Sequence, residues 1–580
     1  IPPTVRITSP ATGDTVIEGS SLPITVEATD DIAVAAVNFV VNGEVVFTDT
    51  TAPYQFNFTV PVGVTSLTLG ATAIDLGSNI GAAGDVVVNV IPDPGTTAEG
   101  RVIDRDRNPV AGATVTCLGI SGLTGPEGTF SIPGLPTIRG DIRCTATFVT
   151  TDGKTLRGTS AGVSPVRGRI TDVGQIIIGR LSSKGTDFWL AFQNDRESNA
   201  GAQLFILSDM FTDFTVTGPG FNMTGTASPG TPGIVALPNS LEITTNQVIE
   251  NKGIHVVSDE EVSVLFFYPT SVTSDIYLGI PTEALGTEYF VVGFQESISA
   301  RGFSPTQDPS EFVIVATQGN TNVSLVPSCT SLSGTPAGST VNLVLNQGQT
   351  YQYQCGSRGD VTGSLITSDK PTGVIGGNSC ADVPPGVAFC DILSEMMFPV
   401  ASLYATEFFT APLPGASADI IRILAAQDNT TVTVNDGSSL NSFSLNRGQF
   451  RELSIEPATR ITSDKPITVV QYAVGINRAG IGDPFEMQIL PTGAFRDTYR
   501  LFAPSGFSPS AIIIAPNSAV PSVTLNGLPV TGFAPLPGGT HQFVVTSVPT
   551  GQSVVAAAEP IGVYGIGFTS FGSYGYPAGF

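Results

Sequence analysis

The chain is poor in the residues that perform chemistry at neutral pH. Its 580 residues include two histidines, His255 and His541, one tryptophan, Trp189, and 25 lysines plus arginines. No H-E-x-x-H motif occurs, and paired carboxylates for glycosidic cleavage have no recognisable setting. A Ser/His/Asp arrangement need not show in sequence, yet a strand or turn histidine accounts for both sites, so the expectation is that the protein is not an enzyme. Against the few cations stand 49 carboxylates, for a net charge of −24. Such a surface repels phosphate backbones and anionic lipids, which excludes nucleic acid as a natural partner. No apolar run reaches the ~18–20 residues that span a bilayer. The chain opens at Ile1 without Met or a charged-then-apolar leader, so a secretion signal is expected to have been removed.

Long stretches free of Gly and Pro are also scarce: 65 glycines and 43 prolines punctuate a chain that is 41% hydrophobic. Between them Val, Thr, Ile and Phe alternate with small polar residues, the pattern of many short strands joined by turns. The predicted fold class is all-β, with several domains. The six cysteines fall into local pairs, Cys117 with Cys144, Cys329 with Cys355 and Cys380 with Cys390. None forms a C-x-x-C. Three disulfides in an oxidising, extracellular setting are expected, on proximity alone.

Residues 1–94 show about seven strand-like segments, with Asn42-Gly43 as a two-residue hairpin turn. Their order resembles the Ig-like modules of bacterial surface proteins. Asp30-Asp31 ends one of its strands, and Asp75-x-Gly77-x-Asn79 another. If those loops share one end of the sandwich, Asp30, Asp31, Asp75 and Asn79 offer hard oxygen ligands suited to calcium. Asx turns at strand ends explain the same residues. Residues 95–180 open "GRVIDRDRNPVAGATVTC" and continue "TGPEGTFSIPGL". They resemble the carboxypeptidase regulatory-like, transthyretin-type sandwich, through Gly100, Val102, Pro109, Val110, Gly112, Ala113, Gly128, Phe130 and Ile132. That resemblance implies a non-catalytic spacer.

Residues 185–580 carry a fourfold internal repeat, at about 185–271, 286–377, 405–475 and 496–568. Each unit begins alike ("GTDFWLAF", "GTEYFVVGF", "ATEFFTAPL", "RDTYRLFAP"). Each later passes from one apolar strand to another through a short polar motif: "SDEE" with Asp259, "SDKP" with Asp369, "SDKP" with Asp464, and "AEP" with Glu559. Asp and Pro there predict a repeated turn rather than a duplicated site. Trp189 stands where later units have Phe290 and Phe409, which points to core packing. Strand count allows two arrangements, tandem sandwiches, which are the expectation, or propeller-like closure around one axis.

The opening motif, "SDKP", "NSCADVPPGVAFCDILSEMMFP" and the closing "GSYGYPAG" make this zone resemble the N-terminal domain of the IgGFc-binding protein family. The resemblance implies a bridge between Cys380 and Cys390. It also carries a departure, because Ile392 stands where the family often has a metal-like histidine. Sequons at Asn57, Asn222, Asn322 and Asn429 would be surface glycan sites in a eukaryotic host. Such modules in series describe a secreted structural or adhesive surface protein. It could polymerise head to tail with itself as an extracellular fibre. The alternative is a monomeric adhesin binding a glycan or a host protein, immunoglobulin Fc by the family resemblance.

Overall fold

A computed structural model describes every residue except 105–106, 151–154, 161, 181, 197–200, 270–272, 296–307, 357 and 416–417. The regular structure of the described residues is almost all strand, with two single-turn α-helices and four short 3-10 turns among them. The chain divides into two compact units, Ile1–Arg180 and Leu181–Phe580.

The first unit holds two separate cores. In the first, strands Thr4–Ser9, Ser21–Thr29 and Tyr54–Thr59 form one sheet. The facing sheet is built on Val34–Val41 and Ser66–Asp75, with Glu44–Asp49 at its edge. Alternation decides which residues go inside: in Ser66–Asp75, Leu67, Leu69, Ala71 and Ala73 all point into the core. Asn42 and Gly43 turn the hairpin with φ of 51° and 89°, the left-handed pair that a two-residue loop between twisted strands requires. In the second core, strands Thr96–Ile103 and Ile170–Ile177 run parallel. Cys117 and Cys144 lie directly opposite on neighbouring antiparallel strands and are bonded.

The second unit is four copies of one design around a single contiguous core. In each copy a long strand is shared by two sheets: Ile254–Phe267, Thr459–Tyr472 and Gly551–Phe568 run unbroken. In the second copy the strand is divided into Leu365–Ser368 and Thr372–Ala381. The early half pairs with the first strand of the repeat and the late half with a short following strand. Thus Gly185–Leu190 lies along the start of Ile254–Phe267, while Ile276–Leu278 lies along its end.

The polar motif sits where the strand passes between sheets. Between Gly185 and Asp187 the partner jumps from Val262 to Val257, and the same excursion recurs in the third and fourth repeats. A strand that switches sheets needs such a bulge. The expectation of a turn is therefore corrected: Asp259, Asp464 and Glu559 lie inside strands, and Asp369 lies in the one bend that breaks its strand. Side chains fasten the bend to the preceding hairpin. Lys370 Nζ donates to the carbonyls of Gly319 and Asn320 at 2.5 and 2.9 Å, and Lys465 Nζ to those of Asp428 and Asn429 at 2.6 and 3.0 Å. Asp369 accepts from Asn322, and Asp464 from Thr431.

The two-sheet copies close into a ring, so sandwich and closure both describe the unit. The outward residue after the first-strand Phe or Tyr reaches into the next copy each time. The Trp189 ring packs against Gly348 and the Phe290 ring against Gly448. Phe409 lies 4.5 Å from the ring of His541. In the fourth copy that residue is Arg500, which pairs with Asp209 of the first. Glycine is required where backbones meet: a Cβ on Gly253 would stand 2.7 Å from the Gly348 carbonyl oxygen. Ser183 and Phe580 join the first and fourth copies. Ser183 N–H donates to the Phe580 carbonyl at 3.0 Å, and Phe580 N–H donates to Ser183 Oγ at 3.1 Å.

Candidate functional site

One short strand from each repeat meets at the ring's axis: Ile276–Leu278, Asp391–Met396, Glu486–Gln488 and Ser573–Pro577. Each touches its two neighbours around the ring. These strands follow the repeat boundaries read from the sequence. They are pinned by Asp275, which is wholly buried. Its Oδ1 accepts from Ile276 N–H at 2.8 Å, and its Oδ2 accepts from Ser394 and Glu486 N–H at 3.1 and 3.3 Å. Gly575 N–H of the fourth repeat adds a further bond. One carboxylate thus ties strands from all four repeats.

Other acids crowd the same axis. Asp391 Oδ1 accepts from Ser274 and Ile392 N–H at 2.6 and 2.8 Å, and Glu395 Oε1 accepts from Gln488 N–H at 3.1 Å. Tyr472 O–H donates to Glu486 at 3.3 Å. Burial pushes all four carboxyls, Asp275, Asp391, Glu395 and Glu486, well above their ordinary range. The neighbouring Asp483 and Asp275 raise Asp391 further. These groups are sealed from solvent and unavailable to a substrate. Ile392, at the family's histidine position, is a fully buried apolar side chain beside Asp391.

Above the start of the axial strands, loops from all four repeats converge. Arg196 N–H donates to the Ser379 carbonyl at 3.4 Å, and its guanidinium pairs with Asp308 at 3.1 Å. Gly475 N–H donates to Val383 O at 2.9 Å, and Asn477 N–H to Ala388 O at 3.0 Å. Ser274 Oγ donates to Ser573 O at 2.9 Å, while Ser573 Oγ donates to Asp483 O. The disulfide Cys380–Cys390 closes the most prominent of these loops. At its tip Phe389 meets Phe571 of the fourth repeat edge to face, centroids 6.1 Å apart. Phe389 is 41% exposed, Phe571 48% and Ile481 of the third repeat 38%. Pro385 and Gly386 are exposed beside them. In a chain this acidic, an exposed aromatic pair contributed by two repeats is distinctive, because interface centres are depleted of charge and enriched in aromatics.

The remaining candidates have structural employment. His255 Nε2 is 2.9 Å from Asp187 Oδ2, and Thr282 Oγ donates to Asp187. This resembles a dyad until the third repeat is consulted. There Arg460 pairs with Glu407 at 2.7 Å, and Thr492 donates to Glu407. A bond repeated with arginine in place of histidine is architecture. Burial lowers the His541 pKa, and the ring packs between repeats against Phe409 and Phe495.

In the first domain, Asp30 Oδ1 accepts from Ile32 and Ala33 N–H at 3.0 and 3.2 Å. Asp75 accepts from Asn79 N–H and Nδ2 at 2.8 and 2.7 Å. Asp31 lies 3.8 Å from the terminal amine of Ile1. The loops do meet, since Val34 pairs with Asp75, but these bonds are Asx turns. Among the described residues no three His, Cys, Asp or Glu side chains gather as a metal-ligand set. Cys329–Cys355 is the third disulfide. No described helix is long and apolar enough to cross a membrane.

Comparison with known proteins adds the following. The family described as IgGFc binding protein matches residues 275–567, and the family described as bacterial Ig domain matches residues 3–75. The human IgGFc-binding protein is 25% identical over 341 residues, 57% of this chain but only 6% of that relative. Among solved structures, the fibronectin(III)-like modules of Clostridium thermocellum CbhA are 26% identical over 15% of this chain and 94% of theirs, with TM-score 0.15. The Bacillus cereus major pilin subunit BcpA is 14% identical over 31% of this chain and 70% of its own, with TM-score 0.15. These structural likenesses are too distant to bear on function.

Proposed function

Because the chain belongs to the IgGFc binding protein family through residues 275–567, we propose that it is a secreted adhesive protein whose ring binds a protein partner at the loop pole. The observation that carries this reading is the exposed Phe389–Phe571 contact on a disulfide-closed loop. Exposed aromatics held rigid cost little entropy on binding and act as anchors. The Ig-like and second sandwiches then serve as spacers. Binding rather than catalysis is favoured by the sealing of the axial acids and by the structural role of His255. Immunoglobulin Fc is the partner suggested by the human relative's name.

Surface plasmon resonance with immobilised immunoglobulin Fc tests this reading. Binding by the full chain, weakened roughly a hundredfold in F389A/F571A, is the expected result, since two central aromatic anchors are removed. Binding indifferent to both substitutions removes the pole from the account, and no binding removes Fc as the partner.

Assembly into a fibre is a second reading, favoured by one feature of the first domain. The edge strand Glu44–Asp49 is exposed along its length and shows Val45, Val46 and Phe47. Phe47 stacks on Phe56 with centroids 4.7 Å apart. Such an edge can accept another strand. Regular filaments of the wild-type chain in electron micrographs, lost in V46K, are the expected result. Dispersed particles for the wild type would end this reading.

A further inference from the structure

A groove of about 660 Å³ opens between the second and third repeats, lined by Ser328, Thr330, Arg358, Asp360, Thr362 and Phe450. Two of its walls are loops tied together by the Cys329–Cys355 disulfide, and the third repeat contributes the aromatic ring. Its geometry is fixed from beneath by a buried cation. The Arg422 guanidinium stacks on Phe294 at 4.2 Å and lies 4.9 Å from the Phe450 ring centre. It also pairs with Asp360 at 2.9 Å and donates to Thr362 Oγ at 2.7 Å. Its fourth anchor is the Gly293 carbonyl at 2.5 Å, and Glu452 balances its charge at 2.9 Å. Asp360 is held from above as well, its Oδ1 by Thr362 N–H at 2.9 Å and its carbonyl by Ser328 Oγ at 2.7 Å.

This lining selects among ligand classes. A wholly apolar ligand would bury hydroxyls and charges without partners, which is costly. A nucleotide would bring phosphate to a site containing Asp360 on a chain of net charge −24. A pyranose ring matches both halves of the groove. Its C–H face packs on an aromatic ring, while its hydroxyls both donate and accept opposite threonine, serine and carboxylate oxygens.

We propose that this groove is a saccharide-binding site, with Phe450 as the stacking platform and the Arg422-held Asp360, with Ser328 and Thr330 at the surface, as the polar contacts.

Saturation-transfer NMR and titration of the full chain with cellotetraose, chitotetraose and sialyllactose test it. At least one of the three is expected to bind, with saturation strongest on ring C–H protons. The F450A variant should weaken that binding about tenfold. Because Phe450 also covers Arg422, a second variant guards against misfolding: A337W fills the groove from an exposed position at its rim and should abolish binding while the thermal midpoint is unchanged. Failure of all three sugars to bind overturns the proposal. So does a bound sugar whose affinity survives A337W.

Discussion

Asp275 shows how one residue can hold a large assembly. Its two oxygens accept N–H groups from strands of different repeats. Asp275→Ala strands several buried N–H groups, each costing about 1–3 kcal/mol, so denaturant unfolding of the ring should show a loss of roughly 3 kcal/mol or more. A loss below about 1 kcal/mol would show that water replaces the carboxylate. A second residue sets a pH dependence. Burial pushes the Asp419 carboxyl to about 7 from an ordinary 3.8, even though Leu413 N–H and Gln471 Nε2 donate to it. A raised folded value means that the folded ring holds the proton more tightly than the unfolded chain. The stabilisation is therefore complete below 3.8 and is lost as pH rises through about 7. The interval corresponds to something on the order of 4 kcal/mol. The thermal midpoint should fall between pH 4 and pH 7, and Asp419→Asn should flatten that fall; an unchanged slope would assign it to the axial acids instead. None of these acids was legible. Their burial is set by strands of other repeats, which nothing local in the sequence announces.

At the level of elements, the recurrent polar motif was legible as architecture but not as the right kind. Asp followed by Lys-Pro carries turn chemistry. A turn and a sheet-switching bulge present the same local residues, and what separates them is whether the next strand continues in the same direction. That is decided by the pairing with Gly185–Leu190 and its counterparts. A turn leaves its lysine in solvent, whereas Lys370 and Lys465 each reach two carbonyls at the left-handed Asn320 and Asn429 corners. Lys370→Ala and Lys465→Ala should each cost about 1 kcal/mol, the net worth of such bonds at the surface. Hydrogen exchange should speed at the hairpin that contains the affected corner. Loss of protection spread evenly over the ring would argue against a local clamp. In the first domain, by contrast, the Asn42-Gly43 turn and the alternating strands followed from local rules alone, because hairpins pair near neighbours in sequence.

For the molecule as a whole, closure is the property sequence left open between two arrangements. The equivalence of Trp189, Phe290 and Phe409 was visible, but not that each packs on the following repeat, nor that Arg500 completes the cycle on Asp209. A linear array and a ring of the same repeats differ in how they unfold. In an array each copy has its own core and the terminal copies fray first. Here one hydrophobic cluster runs from Phe188 to Phe580, and Phe580 is itself buried, edge to face with Phe398 of the second repeat at 5.7 Å. Calorimetry should therefore give one transition for the ring. Phe580→Ala, a cavity costing roughly 3–5 kcal/mol, should shift that whole transition to lower temperature. If the fourth repeat instead melts alone, leaving the first three protected from exchange, the copies are energetically independent and the contacts at Ser183 merely park the chain end.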